Sequence, residues 1–191
     1  MANISIFGKG SMGKAIGDNF TKAGNTVHYL DSKTPRTSLG DIVVLAVPYP
    51  AVSDIIEQYK DELKEKIVVD ITNPVDFTTF DDLVVPADSS AAALIAEKLP
   101  DSSVVKGFNT TFASTLVTKK VANATQTTVL FAGDDVEAKK TLKNALDGSG
   151  LAVLDAGGLK RARELESIGF LQISLAGAEK ITWGGGFALY E

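Results

Sequence analysis

The hexapeptide Gly8-Lys9-Gly10-Ser11-Met12-Gly13 is the most informative part of this sequence. It follows an apolar run, residues 4–7, that predicts a strand, and it precedes residues 14–23, whose pattern predicts a helix. A GxGxxG pattern alone is weak evidence, but in the order strand, glycine loop, helix it is typical of a dinucleotide-binding unit. The alternative, an ordinary strand-to-helix turn of an α/β protein, is disfavoured by the sequence that follows.

Each glycine of this loop has a separate expected role. Gly8 permits the tight turn, Gly10 leaves room for a pyrophosphate to approach the backbone, and Gly13 lets the helix pack closely on the strand. The free amides and the positive dipole end of the helix attract the anion. We therefore predict that Gly8, Lys9, Gly10 and Gly13 belong to a dinucleotide-binding loop.

The composition limits the class of protein. The 191 residues fit one domain, residues 1–191, with residues 156–191 as a C-terminal helix and tail. The sequence has no cysteine and one histidine, so no metal site is predicted, and the lack of cysteine suits a reducing cytoplasm. It has no recognisable signal peptide or membrane span, and a net charge of −5 gives no basic footprint for nucleic acid. We expect a cytoplasmic protein that does not bind nucleic acid or membrane.

Asp31 is predicted to bind the adenosine ribose of the dinucleotide. It ends the second predicted strand, residues 27–30, roughly 20 residues after the glycine loop, where such an acid is expected. An acid there accepts hydrogen bonds from the ribose hydroxyls and repels a 2′-phosphate, which favours NAD(H). Its neighbours Ser32, Lys33 and Arg36 supply a hydroxyl and two cations where a 2′-phosphate would lie, which favours NADP(H). All four residues are therefore predicted to bind the cofactor.

The connection to the third strand is unusually short. Residues 42–47 form that strand, and residues 32–40 leave no room for the usual helix, since a parallel crossover needs about a dozen residues or more. We predict an α/β fold with a Rossmann-like, doubly wound, mostly parallel sheet, trimmed after the second strand and carrying a C-terminal helical extension. Residues 42–47 would lie on the other side of the first strand. The dinucleotide would occupy the crevice between them, with Ala46, Val47 and Pro48 against its nicotinamide half.

The rest of the chain continues the alternation of strands and helices. The predicted strands are residues 66–71, 103–107, 127–132 and 151–154, and the predicted helices are residues 51–63, 91–99, 134–146 and 159–180. Residues 76–89 are polar and interrupted by proline, and are a candidate cover for the cleft. Residues 108–113 form either a binding loop or the capped start of a helix.

Several segments together resemble one family. They are Gly8-Lys9-Gly10-Ser11-Met12-Gly13, Ile71-Thr72-Asn73-Pro74, Gly107-Phe108-Asn109-Thr110, Gly133-Asp134-Asp135, Asp155-Ala156-Gly157-Gly158-Leu159 and the glycine-rich tail. The chain resembles the deazaflavin-dependent NADP oxidoreductases, which pass hydride between NADP(H) and an 8-hydroxy-5-deazaflavin coenzyme. The same fold serves the cytoplasmic domain of six-transmembrane ferric reductases.

This resemblance implies contacts to the pyrophosphate, the nicotinamide and the deazaflavin. The residues that would make them are Ser11, Met12, Asn73, Pro74, Thr111 and Ala113. Residues 184–186 would lie beside the acceptor ring. The family often has a Ser-Arg pair after the second strand, where this chain has Asp31-Ser32. Because Lys33 and Arg36 follow, we still expect NADP(H) to be preferred over NAD(H).

The reaction class follows from what the predicted site lacks. Reduction of a carbonyl by hydride needs a proton donor, and Tyr49 is the nearest candidate, so no catalytic residue is predicted. Transfer between two rings demands mainly stacking, orientation and exclusion of water. We predict an NAD(P)H-dependent oxidoreductase whose second substrate is a deazaflavin, a flavin or a similar small planar acceptor. The alternative is a non-catalytic NAD(P)-binding sensor or regulatory module.

The last predicted helix suggests a homodimer. Its apolar residues do not fit one narrow stripe, which predicts burial on more than one side. They are Leu165, Ile168, Leu171, Ile173 and Leu175. The alternative is a monomer whose glycine-rich tail covers its own sheet.

Overall fold

A computed structural model describes residues 1–190 of the chain. The strands are β1 (Asn3–Phe7), β2 (Thr26–Leu30), β3 (Ile42–Leu45), β4 (Ile67–Asp70), β5 (Ser103–Gly107), β6 (Lys120–Val121), β7 (Thr125–Gln126), β8 (Thr128–Ala132) and β9 (Ala152–Gly157). The α-helices are α1 (Ser11–Lys22), α2 (Val52–Tyr59), α3 (Ala91–Lys98), α4 (Ala113–Thr118), α5 (Val136–Ala145) and α6 (Ala162–Gly177). Short 3₁₀ turns span Tyr49–Ala51 and Leu159–Arg161.

The main sheet has seven strands in the order β2-β1-β3-β4-β5-β8-β9. The β5–β8 pair is antiparallel and the other neighbours are parallel. The predicted Rossmann-like, mostly parallel sheet is confirmed, and β3 lies across β1 from β2 as the short linker predicts. In this register Leu45 pairs with Asp70, and Asp70 with Lys106, so the carboxyl ends of β3, β4 and β5 lie side by side.

Two apolar layers cover the faces of the sheet, because alternate strand residues point to opposite sides. The layer that includes α1 and α5 contains Ile4, Ile6, Ile16, Phe20 and Leu142. The layer that includes α2 and α3 contains Phe7, Val43, Val68, Ile56 and Ile95. In the described residues, no helix combines the length and the apolarity that a membrane span requires.

Some local predictions differ from the structure. Residues 108–112 form a loop whose last residue caps α4, so the binding-loop and capped-helix interpretations describe successive parts of one segment. The β6–β7 hairpin was not predicted, because its two-residue strands are too short to show a periodicity. Strand β9 continues to Gly157 rather than ending at Leu154, since its pairing with β8 extends past a register irregularity. Helix α6 begins three residues later than predicted, after the turn at Leu159–Arg161.

Candidate dinucleotide and acceptor site

The glycine loop joins β1 to α1, and two of its glycines are required by packing. Gly8 has a φ of +110°, and a Cβ there would lie 2.1 Å from the carbonyl oxygen of Ala46. A Cβ on Gly13 would lie 2.3 Å from the carbonyl oxygen of Gly8. A Cβ on Gly10 would meet no atom within 4 Å, and the φ of Gly10 is an ordinary −71°. Gly10 therefore borders open space, as a pyrophosphate site requires.

The N-terminus of α1 faces the same space. Gly10 is the N-cap residue of this helix, and no side chain caps it. The first amides of a helix lack partners within the helix, so here they remain available to an anion.

A cavity of about 370 Å³ lies beside the glycine loop at the carboxyl ends of the strands. Its lining residues are Gly10, Ser11, Met12, Gly13, Ala46, Val47, Pro48, Tyr49, Ile71, Thr72, Asn73, Phe77 and Ile173. The structure thus brings the predicted segment 46–48 together with the glycine loop. Phe77 comes from residues 76–89, the segment that was a candidate cover for the cleft.

A second cavity, which we call the acceptor cavity, continues from the first and has a volume of about 540 Å³. It is lined by Ser11, Met12, Ile71, Asn73, Asn109, Thr111, Phe112, Ala113, Ser114, Ile173 and Trp183. Among the described residues that line it, none is Asp, Glu, His, Lys, Arg or Tyr. Trp183 packs edge-on against Phe112, with ring centroids 4.9 Å apart. The walls of the cavity therefore carry no charged side chain and combine aromatic, aliphatic and neutral polar residues, among them the predicted Thr111 and Ala113.

A pair of asparagines fixes the two loops of the acceptor cavity. The side-chain amide of Asn73 donates to the carbonyl oxygen of Asn109 at 2.9 Å, and the amide of Asn109 donates to Asn73 Oδ1 at 2.9 Å. The Asn109 amide also donates to the carbonyl oxygen of Leu165 in α6 at 2.8 Å. A Cβ on Gly169 would lie 2.4 Å from Asn73 Oδ1, so a glycine lets α6 approach this closely. The Phe-Asn-Thr element was the sequence signal for Asn109, but its partners were not predictable.

Beneath these loops lies a buried ionic cluster. Lys106 Nζ is 2.8 Å from Asp70 Oδ2 and 2.8 Å from Glu166 Oε1, and all three side chains are at most 1% exposed. Lys106 also donates to the carbonyl oxygen of Thr72 at 2.5 Å. Burial raises the pKa of Glu166, against the opposing effect of Lys106. Sequence reasoning missed this cluster, although a charged residue near the end of each of two neighbouring apolar strands was a signal.

Glu166 also connects the cluster to α3. Its carboxylate accepts hydrogen bonds from the backbone amides of Ala91 at 2.9 Å and Ala92 at 3.3 Å. These amides belong to the first turn of α3, where a carboxylate is favoured by the helix dipole. The cluster therefore joins β4, β5, α3 and α6 below the carboxyl edge of the sheet.

The predicted ribose end is a third cavity, of about 350 Å³. Its lining residues are Phe7, Asp31, Ser32, Thr34, Ala51, Asp54, Ile55, Gln58 and Tyr59. Asp31 Oδ2 lies 2.8 Å from Lys9 Nζ, while Asp31 Oδ1 accepts from Thr34 Oγ1 at 2.8 Å and from the Lys33 amide at 3.0 Å. The hydrogen bond from Lys9, followed by those from Thr34 and Lys33, holds the pKa of Asp31 well below its usual range.

Arg36 is paired with Glu62 beside the ribose cavity. Its guanidinium makes two hydrogen bonds to Glu62, at 2.6 and 2.8 Å, and lies 5.7 Å from the ring centroid of Tyr59. Of the predicted cofactor residues, some line none of the three cavities. These are Gly8, Lys9, Lys33, Arg36 and Pro74. The structure places the Arg36 guanidinium over Tyr59, which lines the ribose cavity, and pairs it with Glu62, so a contact of Arg36 with the cofactor stays a prediction.

The tail is anchored on both sides of the acceptor cavity. The carbonyl oxygen of Gly184 accepts from the Ala122 amide at 2.7 Å, beside the β6–β7 hairpin. Gln172 in α6 donates to the carbonyl oxygen of Thr110 at 3.2 Å and accepts from the Phe187 amide at 2.9 Å. Trp183 reaches the acceptor cavity, whereas residues 184–186, expected beside the acceptor ring, do not line it.

Comparison with known proteins agrees with this geometry. The family model described as NADP oxidoreductase coenzyme F420-dependent matches residues 36–74. The F420-dependent NADP reductase of Methanocaldococcus jannaschii is 36% identical over 142 residues, which cover 71% of this chain and 62% of that protein. The resemblance to the deazaflavin-dependent NADP oxidoreductases is confirmed. The match spans less than two thirds of that relative's length.

Two further proteins extend the comparison. The metalloreductase STEAP3 of Rattus norvegicus is 29% identical over 182 residues, covering 86% of this chain and 36% of the rat protein. A candidate F420-dependent NADP reductase from Arthrobacter sp. FB24 has a crystal structure that superposes with a TM-score of 0.85 at 23% identity, covering 100% of both chains. At 23% identity this similarity concerns the fold alone, and the superposition covers the full chain.

Proposed function

We propose that this chain is an NADP(H)-dependent oxidoreductase that transfers hydride between the nicotinamide ring and a planar, deazaflavin-like small molecule. The names of the archaeal relative and of the matching family, which pair NADP with coenzyme F420, support this proposal. The third strand and the glycine loop meet at the crevice where an open α/β sheet binds dinucleotides.

The observation that carries this proposal is the composition of the acceptor cavity. It opens directly beside the glycine loop, its walls include two aromatic rings, and no side chain that lines it in the described residues can act as a general acid at neutral pH. Reduction of a carbonyl would need such an acid near the reacting oxygen. Transfer between stacked rings needs orientation and a dry environment, which these walls supply.

The residues have distinct tasks in this proposal. Gly10, Ser11, Met12 and Gly13 hold the pyrophosphate at the start of α1, and residues 46–48 face the nicotinamide. Other cofactor contacts come from Gly8, Lys9, Asp31, Ser32, Asn73, Pro74, Thr111 and Ala113. When bound, the reduced nicotinamide supplies the hydride. The protein orients the two rings, and Trp183 and Phe112 exclude water from the space between them.

We also propose that the chain works as a cytoplasmic homodimer. The absence of cysteine supports a reducing compartment. Leu165 is buried in the core while Ile168 and Leu171 are 37% and 51% exposed on the outer side of α6, which supports a second copy on that side. Sedimentation of the wild type and of Leu171→Glu tests this: a wild type that sediments as a monomer at micromolar concentration contradicts it.

A kinetic experiment tests the activity. NADPH oxidation is followed without oxygen, with 8-hydroxy-5-deazaflavin, FMN or no acceptor, for the wild type, Gly10→Ala and Gly177→Ala. Gly177, like Gly10, would place a Cβ in open space, so Gly177→Ala is a matched control. We expect Gly10→Ala to fold normally and to bind NADPH at least about tenfold more weakly. Tight NADPH binding without turnover with any acceptor would favour the sensor alternative.

A further inference from the structure

The ribose end of the groove lacks a cation on its walls. The acidic side chains of Asp31 and Asp54 line this cavity, and in the described part of the chain no basic side chain lines it. A 2′-phosphate carries close to two negative charges, so it would enter a cavity that two carboxylates line, with the Lys9 ammonium already 2.8 Å from Asp31 Oδ2. A protein that accepts NADP(H) here needs a cation that can move in.

Arg36 is poorly placed to be that cation. Its two hydrogen bonds to Glu62, donated by Nε and Nη2, occupy one edge of the planar guanidinium, and its Cζ lies 5.7 Å from the centroid of the Tyr59 ring. Moving it to a phosphate would break a bidentate ion pair, the strongest kind of arginine contact.

Lys9 has the opposite properties. It extends from the glycine loop, its side chain is 48% exposed, and its ion-pair partner is Asp31. Asp31 does not depend on Lys9 for its orientation, because Thr34 Oγ1 and the Lys33 amide hold its other oxygen. An exposed lysine ion pair contributes little to stability, so the ammonium can change partners at small cost.

The geometry points to Lys9 as the residue that selects NADP(H), by turning its ammonium from Asp31 to the 2′-phosphate. This inference rests on the proposed binding of a dinucleotide in this groove, and it goes further by assigning the choice between dinucleotides to one side chain of the glycine loop. In the free protein Lys9 screens Asp31, and with NADP(H) bound it lies between the carboxylate and the phosphate. Arg36 then has no part in the selection.

Fragments of the cofactor test the inference without any hydride transfer. Titration calorimetry measures the dissociation constants of adenosine 2′,5′-bisphosphate and of 5′-AMP, together with NADPH and NADH. The variants are Lys9→Met, Arg36→Ala and Asp31→Asn, with Lys22→Met at the far end of α1 as the matched loss of one positive charge. All four substitutions are at exposed side chains, so folding is expected to persist.

The expected result is specific to the 2′-phosphate. Lys9→Met raises the dissociation constants of adenosine 2′,5′-bisphosphate and NADPH by about tenfold or more, because a hydrogen bond between charged groups is lost. It changes the dissociation constants of 5′-AMP and NADH by less than about threefold. Arg36→Ala and Lys22→Met leave the dissociation constants of all four ligands within about threefold of the wild-type values. Asp31→Asn weakens the binding of NADH, because the ribose hydroxyls lose a charged acceptor, and does not weaken the binding of NADPH.

Two results overturn the inference. Equal losses for all four ligands in Lys9→Met would mean that Lys9 contacts the pyrophosphate instead. A large loss for the 2′-phosphate ligands in Arg36→Ala, with none in Lys9→Met, would assign the selection to Arg36. Failure of the proposed function looks different: the fragments discriminate as expected, and NADPH is bound but not oxidised by any deazaflavin or flavin.

Discussion

At the ribose end of the groove, Lys9 pairs with Asp31 while both side chains are about a third to a half exposed, whereas below the acceptor cavity Lys106 pairs with Asp70 and Glu166 in complete burial. Both are lysine–carboxylate contacts of 2.8 Å. The exposed Lys9 competes with water for Asp31 and can exchange this partner for a ligand. Opening the buried cluster would leave unpaired charges in a medium of low dielectric constant. Equal distances therefore serve different purposes, which we interpret as selection at one end and positioning at the other.

The largest effect should come from breaking the buried cluster. Lys106→Met leaves two carboxylates buried without their cation and removes the hydrogen bond to the Thr72 carbonyl. We expect the free energy of unfolding to fall by about 3–5 kcal/mol, measured by urea denaturation. Lys60→Met, which removes an exposed lysine, is the control and should change it by less than about 0.5 kcal/mol. Similar losses in both variants would remove the distinction between the two ends.

The next effect concerns the tail at the acceptor end. A Cβ on Gly186 would lie 2.5 Å from Gln172 Oε1, and the φ of Gly186 is +120°, so Gly186→Ala should displace the tail from α6. Deletion of residues 182–191 removes Trp183 from the acceptor cavity altogether. Both changes should lower kcat/KM for the acceptor by about tenfold or more and leave the NADPH dissociation constant within about threefold. A truncated protein that reduces the acceptor as fast as the full chain would show that the tail has no role there.

Local patterns predicted the fold because the relevant signals are local. The GxGxxG spacing, the apolar strands and the short linker after Asp31 together predicted the glycine loop and the position of β3. The contacts that were missed join residues far apart in sequence. Arg36 and Glu62 are 26 residues apart, and Asn109 and Leu165 are 56 apart. No period or motif encodes such pairs, since they depend on how the elements pack.

The site was predicted in the same uneven way. Gly10, Ala46 and Thr111 line the groove because each occupies a loop at the carboxyl edge of the sheet, a position that the order of elements determines. Arg36 was placed near the ribose because it follows Asp31 closely in sequence. The structure gives it Glu62 as a partner from the region after α2, a contact that a sequence pattern cannot reveal.

The pH dependence of stability should have opposite signs at the two ends. Burial raises the pKa of Glu166 in the folded chain, so its contribution to stability is present at low pH and is lost as the pH rises through the folded pKa. Hydrogen bonds lower the pKa of Asp31, so its contribution is present above the unfolded pKa and is lost as the pH falls.

Unfolding free energies measured between about pH 3 and pH 7 check these signs. The difference in unfolding free energy between wild type and Glu166→Gln should become smaller as the pH rises. The corresponding difference between wild type and Asp31→Asn should become larger. Parallel changes in the two variants would contradict the assignment of one carboxylate to a buried cluster and the other to an exposed pair.

The smallest expected effect lies at the ribose end and concerns Asp54. This residue lines the ribose cavity and is exposed in the first turn of α2, where a charge-free asparagine still fits the helix start. Its carboxylate repels a 2′-phosphate through solvent, where the interaction of two charges is weak and screened by salt. Asp54→Asn should therefore tighten NADPH binding by about two- to threefold at low salt and by nothing measurable near 1 M salt, while NADH binding stays constant. Isothermal titration at the two salt concentrations separates these effects, and Asp61→Asn, an exposed acid outside the cavity, is the control. A salt-independent gain for both dinucleotides would mean that Asp54 acts on the shape of the cavity and that charge does not govern selection at this end.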